Sequence, residues 1–148
     1  MLNTWNNVAL NGTKRGKIMS REIKFRAWLK EEKKMVNVSL MSLTEKWIGY
    51  QIFYEEEKKK KFEFSDSENF ELMQYTGLKD SNEYEIYEDD IVWNEYDEEY
   101  QVIIYDEGEY KLMGESHIQN LFNNLDYIDV CGNVYENSEL VKAWYKED

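Results

Sequence analysis

The sequence predicts a mainly β fold, α+β by strict count, made of small twisted or barrel-like antiparallel sheets with one or two short helices. Near the start, Ile23, Phe25 and Ala27 alternate with other side chains, which is the period-two pattern of a strand with one buried face. In the second half, short apolar runs are separated by turn-forming residues such as Gly108. Helical spacing is confined to two short segments near the C-terminal end, so strands are expected to dominate.

The first half of the chain predicts a series of hairpins. Residues 30–34 form a charged turn after the first strand, and a return strand begins at Met35. Two further strands, 47–54 and 62–64, flank an acidic triplet and a lysine run at residues 55–61. One interpretation of residues 55–61 is a binding patch. Their opposite charges, however, compensate each other. Such compensation favours a solvated hairpin tip.

The aromatic side chains of these first strands are expected in the core. The residues concerned are Phe25, Trp28, Trp47, Tyr50 and Phe53. A surface that stacks nucleic-acid bases would need more interleaved basic residues than Lys24 and Arg26 supply. Packing is therefore favoured over base stacking.

The second half predicts a meander of short strands. Strands are predicted at residues 72–80, 85–92, 91–93, 100–105, 110–113 and 127–135. Gly108 suits the short loop between two of these strands, because glycine takes the left-handed conformation without strain. A meander that follows an Asp-Ile-Val sequence is typical of small SH3-like barrels, by analogy.

Two short amphipathic helices complete the predicted elements. The first is predicted over roughly residues 116–125, where apolar side chains follow the helical i, i+3, i+4, i+7 spacing: Ile118, Leu121, Phe122 and Leu125. A last helix is predicted over residues 137–146, with Asn137 as its N-cap. Its buried stripe is expected to contain Leu140, Val141 and Trp144.

The length of 148 residues suits one domain with a real hydrophobic core. We expect a single domain over residues 20–148, with two small β lobes at about 20–70 and 71–148 as a possible subdivision. Residues 1–18 carry several Asn and no acidic residue. They are interpreted either as a flexible arm or as a translated leader that precedes a true start at Met19.

The charge and cysteine content exclude several classes of function. The formal net charge of −13 disfavours direct binding to nucleic acids and to anionic membranes. The single cysteine, Cys131, excludes an intramolecular disulfide and a thiolate zinc cluster, and its apolar surroundings predict a small buried side chain. No apolar run reaches the ~20 residues that a membrane helix needs. A reducing cytoplasm is the expected location.

Four short motifs stand out along the chain: residues 21–28 (REIKFRAW), 72–80 (LMQYTGLKD), 85–92 (EIYEDDIV) and 132–137 (GNVYEN). Together, and in this order, they resemble the YopX family of phage and prophage proteins. The resemblance implies the family fold over roughly residues 20–142 and a phage context, but no reaction, since the family has no established activity. Glu83 and Asp89 stand where the family usually has glycine, and Ser138 where it often has proline. Asp89 tolerates a left-handed turn, whereas Glu83 suits one less well, so a different turn is expected at residues 80–83.

The most distinctive functional candidate is an acidic stretch with interleaved tyrosines. Residues 81–110 contain twelve acidic residues, six tyrosines and no Lys or Arg. This pattern fits a sheet whose outer face is acidic, a surface for a basic partner, or a mimic of the charge array of DNA. The candidate interaction residues are Tyr84, Tyr87, Glu88, Asp89, Asp90, Glu95, Tyr96, Asp97, Glu99 and Tyr100.

No catalytic residue, cofactor site or metal site is predicted. Glu88, Asp89 and Asp90 are consecutive, and neighbours in a strand point to opposite faces, so they are not expected to hold one ion. The sole histidine, His117, lies far from any nucleophile motif and is expected to be structural. Glycine-rich phosphate loops are absent from the sequence. An enzyme with an unrecognised carboxylate site remains an alternative.

The preferred hypothesis is a non-enzymatic phage accessory protein that acts through protein–protein contacts, and the alternative of another class is an acidic DNA mimic. A basic host or phage protein is a candidate partner. The 23 aromatic residues (5 Trp, 12 Tyr, 6 Phe) exceed what a small β domain readily buries, and exposed strand edges can pair with another copy. We therefore expect a symmetric homo-oligomer. Contacts through Lys24, Arg26 or the lysine run would avoid the repulsion between acidic surfaces.

Overall fold

The computed structural model describes residues 21–146. The interpretation of residues 1–18 as an arm or a leader lies outside the described residues. The strands are β1 (Phe25–Leu29), β2 (Lys34–Ser42), β3 (Trp47–Tyr54), β4 (Lys59–Asp66), β5 (Phe70–Lys79), β6 (Glu85–Tyr87), β7 (Asp90–Asn94), β8 (Glu99–Asp106), β9 (Glu109–Met113), β10 (Ile118–Asn120) and β11 (Ile128–Asn133). Two 3₁₀ helices follow β10 and β11, namely η1 (Phe122–Tyr127) and η2 (Ser138–Leu140). The predicted mainly β fold is confirmed.

The first sheet has six antiparallel strands in the order β4-β3-β2-β1-β5-β6. The meander β1 to β4 forms because each short charged turn returns the chain beside the preceding strand, and β5 then pairs with the free side of β1. Alternation along the strands places one set of side chains in a common core: Ala27, Leu29, Val36, Ile48 and Tyr50. The opposite face of β1 and β5 packs towards the second half of the chain.

The second sheet has five antiparallel strands in the order β10-β9-β8-β7-β11. The predicted meander is present as β7, β8 and β9, and β11 returns to pair with β7 on the other side. Two apolar clusters cover its faces. One contains Ile86, Val92, Ile103, Leu112, Leu121 and Ile128, and the other contains Ile91, Val102, Val134 and Val141.

The β5–β6 hairpin joins the two sheets. Phe70 at the start of β5 packs against the core of the first sheet, whereas Leu78 near its end packs against the core of the second. Ile86 of β6 is fully buried among second-sheet residues. The strand order thus changes sheets between Tyr87 and Asp90. Over the described part of the chain, neither sheet closes into a barrel.

The helix predicted over roughly residues 116–125 is wrong. Ile118 pairs with Met113 in β10, and only the following segment turns helically, as η1. Leu121 is buried as expected, but Phe122 is exposed. Leu121 donates its backbone N–H to Tyr110 and accepts from Asn124 in a 3₁₀ pattern. Sheet pairing therefore takes the first residues of the predicted helix.

The predicted last helix is reduced to η2 and the turns after it. The apolar stripe is nevertheless placed as expected, because Val141 is buried and Leu140 and Trp144 pack around it. The Asn137 side chain makes no N-cap hydrogen bond; its Oδ1 accepts from the backbone N–H of Asn133 instead. Among residues 21–146, no helical segment combines the length and apolar character needed to cross a bilayer.

Both glycine-replacing residues adopt the left-handed backbone. Asp89 has φ 65° and Glu83 has φ 68°. The tight turn expected at Asp89 is present. Glu83 also adopts the left-handed backbone, although this residue suits it less well. Asp80 explains how Glu83 keeps this backbone: its Oδ1 accepts from the N–H groups of Asn82 and Tyr84, each at 2.9 Å. That Asx-type bonding stabilises the loop where glycine would have done so.

Candidate functional site

An open cleft of about 910 Å³ lies between the first sheet and the segment that leads into the second. One wall comes from β1 and β2, and the other comes from residues 83–90 with Val130. The β1–β2 wall exposes Leu40 beside polar side chains of Asn37 and Ser39. Two tyrosines, Tyr84 and Tyr87, line the opposite wall. The cleft is therefore mixed in polarity, with two tyrosines on the wall opposite β1 and β2.

An ion pair between Arg26 and Asp90 closes the bottom of this cleft. Arg26 Nη2 lies 2.6 Å from Asp90 Oδ1, with the two side chains only 14% and 1% exposed. The second carboxylate oxygen accepts the backbone N–H of Tyr87 at 2.8 Å. The guanidinium also lies over the Tyr87 ring, 4.7 Å from its centroid. Arg26 and Asp90 are thus held by complementary contacts on both sides.

Burial raises the pKa of the Asp90 carboxyl to about 6, although Arg26 and the Tyr87 N–H favour its charged form. The desolvation of a carboxylate with 1% exposure outweighs one nearby cation. Asp89 beside it adds repulsion in the same direction. Asp90 is therefore a buried structural carboxyl and contributes no exposed charge.

Glu88 and Asp89 also use their carboxylates inside the fold. Glu88 Oε1 accepts the backbone N–H of Gln74 at 2.7 Å, and Asp89 Oδ2 accepts the Tyr135 hydroxyl at 3.1 Å. Burial raises the pKa of both groups above the ordinary value, against these hydrogen bonds. The left-handed turn at Asp89 divides the predicted strand region 85–92 into β6 and β7.

Lys24 forms the outer part of the cleft. Its Nζ lies 2.8 Å from Glu85 Oε1 and 3.0 Å from Glu22 Oε1, and it sits 5.4 Å from the Tyr75 ring centroid. The hydrogen bonds that Lys24 donates to the carboxylates of Glu85 and Glu22 raise the pKa of its ammonium group. Tyr75 in turn packs on Tyr87 with ring centroids 5.4 Å apart. Both cations of the cleft are thus neutralised by acids of the same chain.

A second polar group lies at the β7–β8 turn. Asn94 and Gln101 are fully buried, and the Asn94 amide donates to Gln101 Oε1 at 2.9 Å and to Asp97 Oδ2 at 3.1 Å. Gln101 and Gln119 also donate to Asp97 Oδ2. Burial opposes ionisation of Asp97, but these donors together with His117 lower its pKa. The network stabilises the turn that carries the exposed Glu95 and Tyr96.

The position of His117 suggests two other interpretations of this turn, a hydrolytic triad and a metal site. Its Nε2 lies 3.3 Å from Asp97 Oδ2 and its Nδ1 lies 3.4 Å from Ser116 Oγ, the order of groups in a hydrolytic triad. Asp97, Glu99 and His117 also place ligand atoms within 4.8 Å of one another, as a metal site would. Ser116 and His117 are exposed neighbours with long contacts. Asp97 Oδ2 already accepts from the side-chain amides of Asn94, Gln101 and Gln119. A structural role for His117 agrees better with this geometry.

The predicted interaction residues separate into two groups. Tyr84, Tyr87 and Asp90 line the cleft, with Glu88 and Asp89 turned inward beside it. Glu95, Tyr96, Asp97, Glu99 and Tyr100 belong to the β7–β8 hairpin at the other end of β7. Tyr100 packs on Trp93 with ring centroids 5.0 Å apart. The five-residue length of β7 keeps the two groups apart, so the exposed members form no single row.

Two side chains predicted to be buried are exposed. Cys131 is exposed because a bulge between Val130 and Gly132 shifts the register of β11 there. Phe53 is exposed because it lies on the outer face of β3, away from the core residue Tyr50. Sequence reasoning also missed that Leu40, Phe62 and Phe64 would be exposed. In the sequence, only the alternation of Phe62 and Phe64 with charged residues indicated that these two side chains are exposed.

Residues 24–142 match the family described as YopX protein. The fold is similar to the crystal structure of protein EF1440 from Enterococcus faecalis, with a TM-score of 0.61 and 28% sequence identity. That similarity covers 82% of this chain and 99% of the EF1440 chain. No curated protein matches the chain. The match spans both sheets and includes Arg26 and Asp90, and the chain belongs to the YopX family.

Proposed function

We propose that this protein is a non-enzymatic interaction module of a phage or prophage, and that its cleft binds a basic segment of a host or phage protein. The observation that carries the proposal is the open cleft of about 910 Å³, whose own cations are already paired with acids. A volume of this size is within the range of ~300–1,000 Å³ that binding sites commonly have. The paired charges of the cleft can form hydrogen bonds with a bound segment, and they do not act as reactive groups.

The exposed chemistry of the cleft suits a cationic partner. Lys24 and Arg26 are neutralised by Glu22, Glu85 and Asp90. Tyr84 at the rim is 65% exposed and offers an open aromatic face. A Lys or Arg side chain over such a ring gains a cation–π contact, and the net charge of −13 would attract it over a longer range.

A DNA mimic is less well supported than a protein-binding module. Such a mimic needs a continuous row of exposed carboxylates, spaced like phosphates. Glu88 and Asp89 instead face Gln74 and Tyr135, and Asp90 is buried against Arg26. These three residues interrupt the acidic row between the cleft and the β7–β8 turn.

An enzyme would need a nucleophile or an acid–base pair beside a substrate cavity. The Ser116–His117–Asp97 chain lies outside the cleft and outside the two smaller cavities, of about 420 and 180 Å³. Within the cleft, the carboxylates of Glu85 and Asp90 are engaged by Lys24 and Arg26. The geometry therefore favours binding over catalysis.

The test is affinity capture from lysogenic or infected cells, followed by mass spectrometry, with two matched variants. Tyr84→Lys places a positive charge at the cleft rim, and Tyr96→Lys makes the same change at the β7–β8 turn, where Tyr96 is 79% exposed. We expect a stoichiometric protein partner that the wild type and Tyr96→Lys retain and that Tyr84→Lys loses. Equal capture by both variants would contradict the cleft as the binding site. A partner without a basic segment would contradict the proposed chemistry.

A further inference from the structure

The β4 strand forms one edge of the first sheet. It pairs with β3 over its whole length, from Lys59 opposite Tyr54 to Asp66 opposite Trp47, and with no other strand among residues 21–146. An edge strand presents backbone N–H and C=O groups that another strand can bind. With eight residues, β4 is also longer than a typical protected edge.

The outer face of this edge is apolar and aromatic. Phe62 and Phe64 project from it with 49% and 61% of their surface exposed, and their ring centroids lie 6.5 Å apart. Gly49 of β3 lies opposite Phe64, and a Cβ atom there would approach the Phe64 ring to 3.0 Å. Because Gly49 has no side chain, the Phe64 ring can lie close to the sheet. There it packs edge-to-face with Trp47, and the two ring centroids are 5.7 Å apart. Leu40 and Phe53 extend the same exposed face.

The charges of β4 are divided between its two ends. Lys59, Lys60 and Lys61 occupy the first half, and Glu63 and Asp66 occupy the second. Two identical antiparallel strands place the first half of one against the second half of the other. Each strand therefore places carboxylates beside the lysine-bearing half of its partner, which an acidic or a basic peptide alone would not do.

We infer that β4 pairs antiparallel with β4 of a second copy of this chain, across a two-fold axis at Phe62, so that the two six-stranded sheets become one. In this register Phe62 faces Phe62 of the other copy, and Lys61 faces the other copy's Glu63 twice. A register centred on Glu63 would instead place two like carboxylates opposite each other, which destabilises a strand pair. The surface is separate from the cleft, whose lining contains no β4 residue.

The contacts that Lys61 makes within one chain leave it available for this exchange. It pairs with Glu57 at 2.7 Å in an exposed hairpin, an interaction that contributes little to stability. Glu63 accepts the Tyr54 hydroxyl at 2.6 Å and keeps further acceptor capacity as a carboxylate. The lysines also make β4 locally basic in a chain of net charge −13, so that the edge avoids the general repulsion between copies.

Charge reversal tests both the surface and the register. Light scattering of the full chain at 100 µM and physiological salt should give twice the chain mass of 18.0 kDa. Lys61→Glu and Glu63→Lys should each yield a monomer, because each places like charges opposite each other. The double variant Lys61→Glu/Glu63→Lys should restore the dimer. Glu139→Lys, an exposed change in η2, is the matched control and should remain dimeric.

A cysteine at the axis provides a second measurement that does not depend on folding after charge reversal. In a Cys131→Ser background, Phe62→Cys should form a disulfide-linked dimer under mild oxidation, whereas Phe53→Cys on the neighbouring strand should not. A wild-type monomer at 100 µM overturns the proposal. So does a dimer that survives both single reversals, since it would use another surface. Neither result bears on capture at the cleft, which is measured with Tyr84→Lys.

Discussion

Arg26 of β1 and Asp90 of β7 form a buried ion pair, with 2.6 Å between Nη2 and Oδ1, that joins the two sheets of the protein. The pair lies 64 residues apart in sequence, at the bottom of the cleft. Its neighbour Trp28 stacks on Tyr135 with ring centroids 5.7 Å apart, and Tyr135 donates to Asp89. Polar and aromatic contacts therefore fix the orientation of the sheets that form the cleft walls.

The first prediction concerns the pH dependence of stability. The pKa of Asp90 is raised from its ordinary value of 3.8 to about 6 in the folded protein, so the folded state holds this proton more tightly than the unfolded state. The Asp90 contribution to stability is complete below the unfolded pKa and is lost as pH rises through the folded pKa. Relative to Asp90→Asn, which cannot titrate, the wild type should gain about 1 kcal/mol between pH 7 and pH 5.

Urea unfolding of both proteins at pH 5, 6 and 7 measures this difference. Glu88 and Asp89 also have raised pKa values and Asp97 a lowered one, so the wild type alone would mix opposite trends. These groups are common to both proteins and cancel in the comparison. If the free energy of unfolding of the wild type minus that of Asp90→Asn stays constant, or falls towards pH 5, then the pKa of Asp90 is not raised. Arg26 would in that case outweigh desolvation in setting this pKa.

The second prediction concerns the other partner of the pair. Arg26→Met keeps an apolar stem but leaves the Asp90 carboxylate buried without its cation, so the free energy of unfolding at pH 7 should fall by about 3–5 kcal/mol. Lys24→Met is the matched control, since Lys24 also pairs across to the 83–90 segment but is more exposed. Lys24→Met should lower the free energy of unfolding much less than Arg26→Met does. Chemical denaturation of both variants decides, and equal losses would show that Arg26–Asp90 is no stronger than a surface pair.

The strands and their approximate bounds could be predicted from sequence, because alternation and short charged turns determine local pairing. The segment at residues 118–125 shows where this reasoning fails. Its i, i+3, i+4, i+7 spacing is helical, yet Ile118 pairs with Met113 of the preceding strand, and this hairpin pairing outweighs the helical pattern. Apolar spacing alone does not show that the strand just before the segment offers it a partner.

The candidate site was only partly predictable for a related reason. The acidic stretch was visible as composition, but composition does not show which carboxylates turn inward. Asp89 takes φ 65°, and this one left-handed residue ends β6 and directs Glu88 and Asp90 to the backbone amides of Gln74 and Tyr87. The basic wall of the cleft comes from Lys24 and Arg26, far away in sequence. Only the fold brings these cations to the acids.

The third prediction concerns metal binding at the β7–β8 turn. Asp97, Glu99 and His117 are close enough to share an ion, but Asp97 Oδ2 already accepts from Asn94, Gln101 and Gln119. An ion would have to replace these donors inside a network that holds two fully buried amides. We therefore expect Mg²⁺ and Zn²⁺ in tenfold excess to leave the melting temperature unchanged. A saturable rise that His117→Ala abolishes would contradict this and assign a metal site.

The fourth prediction tests the hydrogen bond between Tyr135 and Asp89. Tyr135→Phe keeps the ring that stacks on Trp28 but removes the hydroxyl donor 3.1 Å from Asp89 Oδ2. Loss of a bond to a largely buried carboxylate should lower the free energy of unfolding by about 1–2 kcal/mol at pH 7. That hydrogen bond acts against the burial that raises the pKa of Asp89, so its removal should raise the pKa further.

The sign of the pH effect separates this mechanism from a simple loss of packing. A carboxyl whose folded pKa is raised contributes stability at low pH and loses it as pH rises. The deficit of Tyr135→Phe should therefore shrink as pH falls and Asp89 becomes protonated in the folded state. Tyr96→Phe, at an exposed tyrosine of the β7–β8 turn, serves as the control and should show no such trend. A deficit for Tyr135→Phe that is independent of pH would place its cost in the Trp28 stack instead of the Asp89 carboxylate.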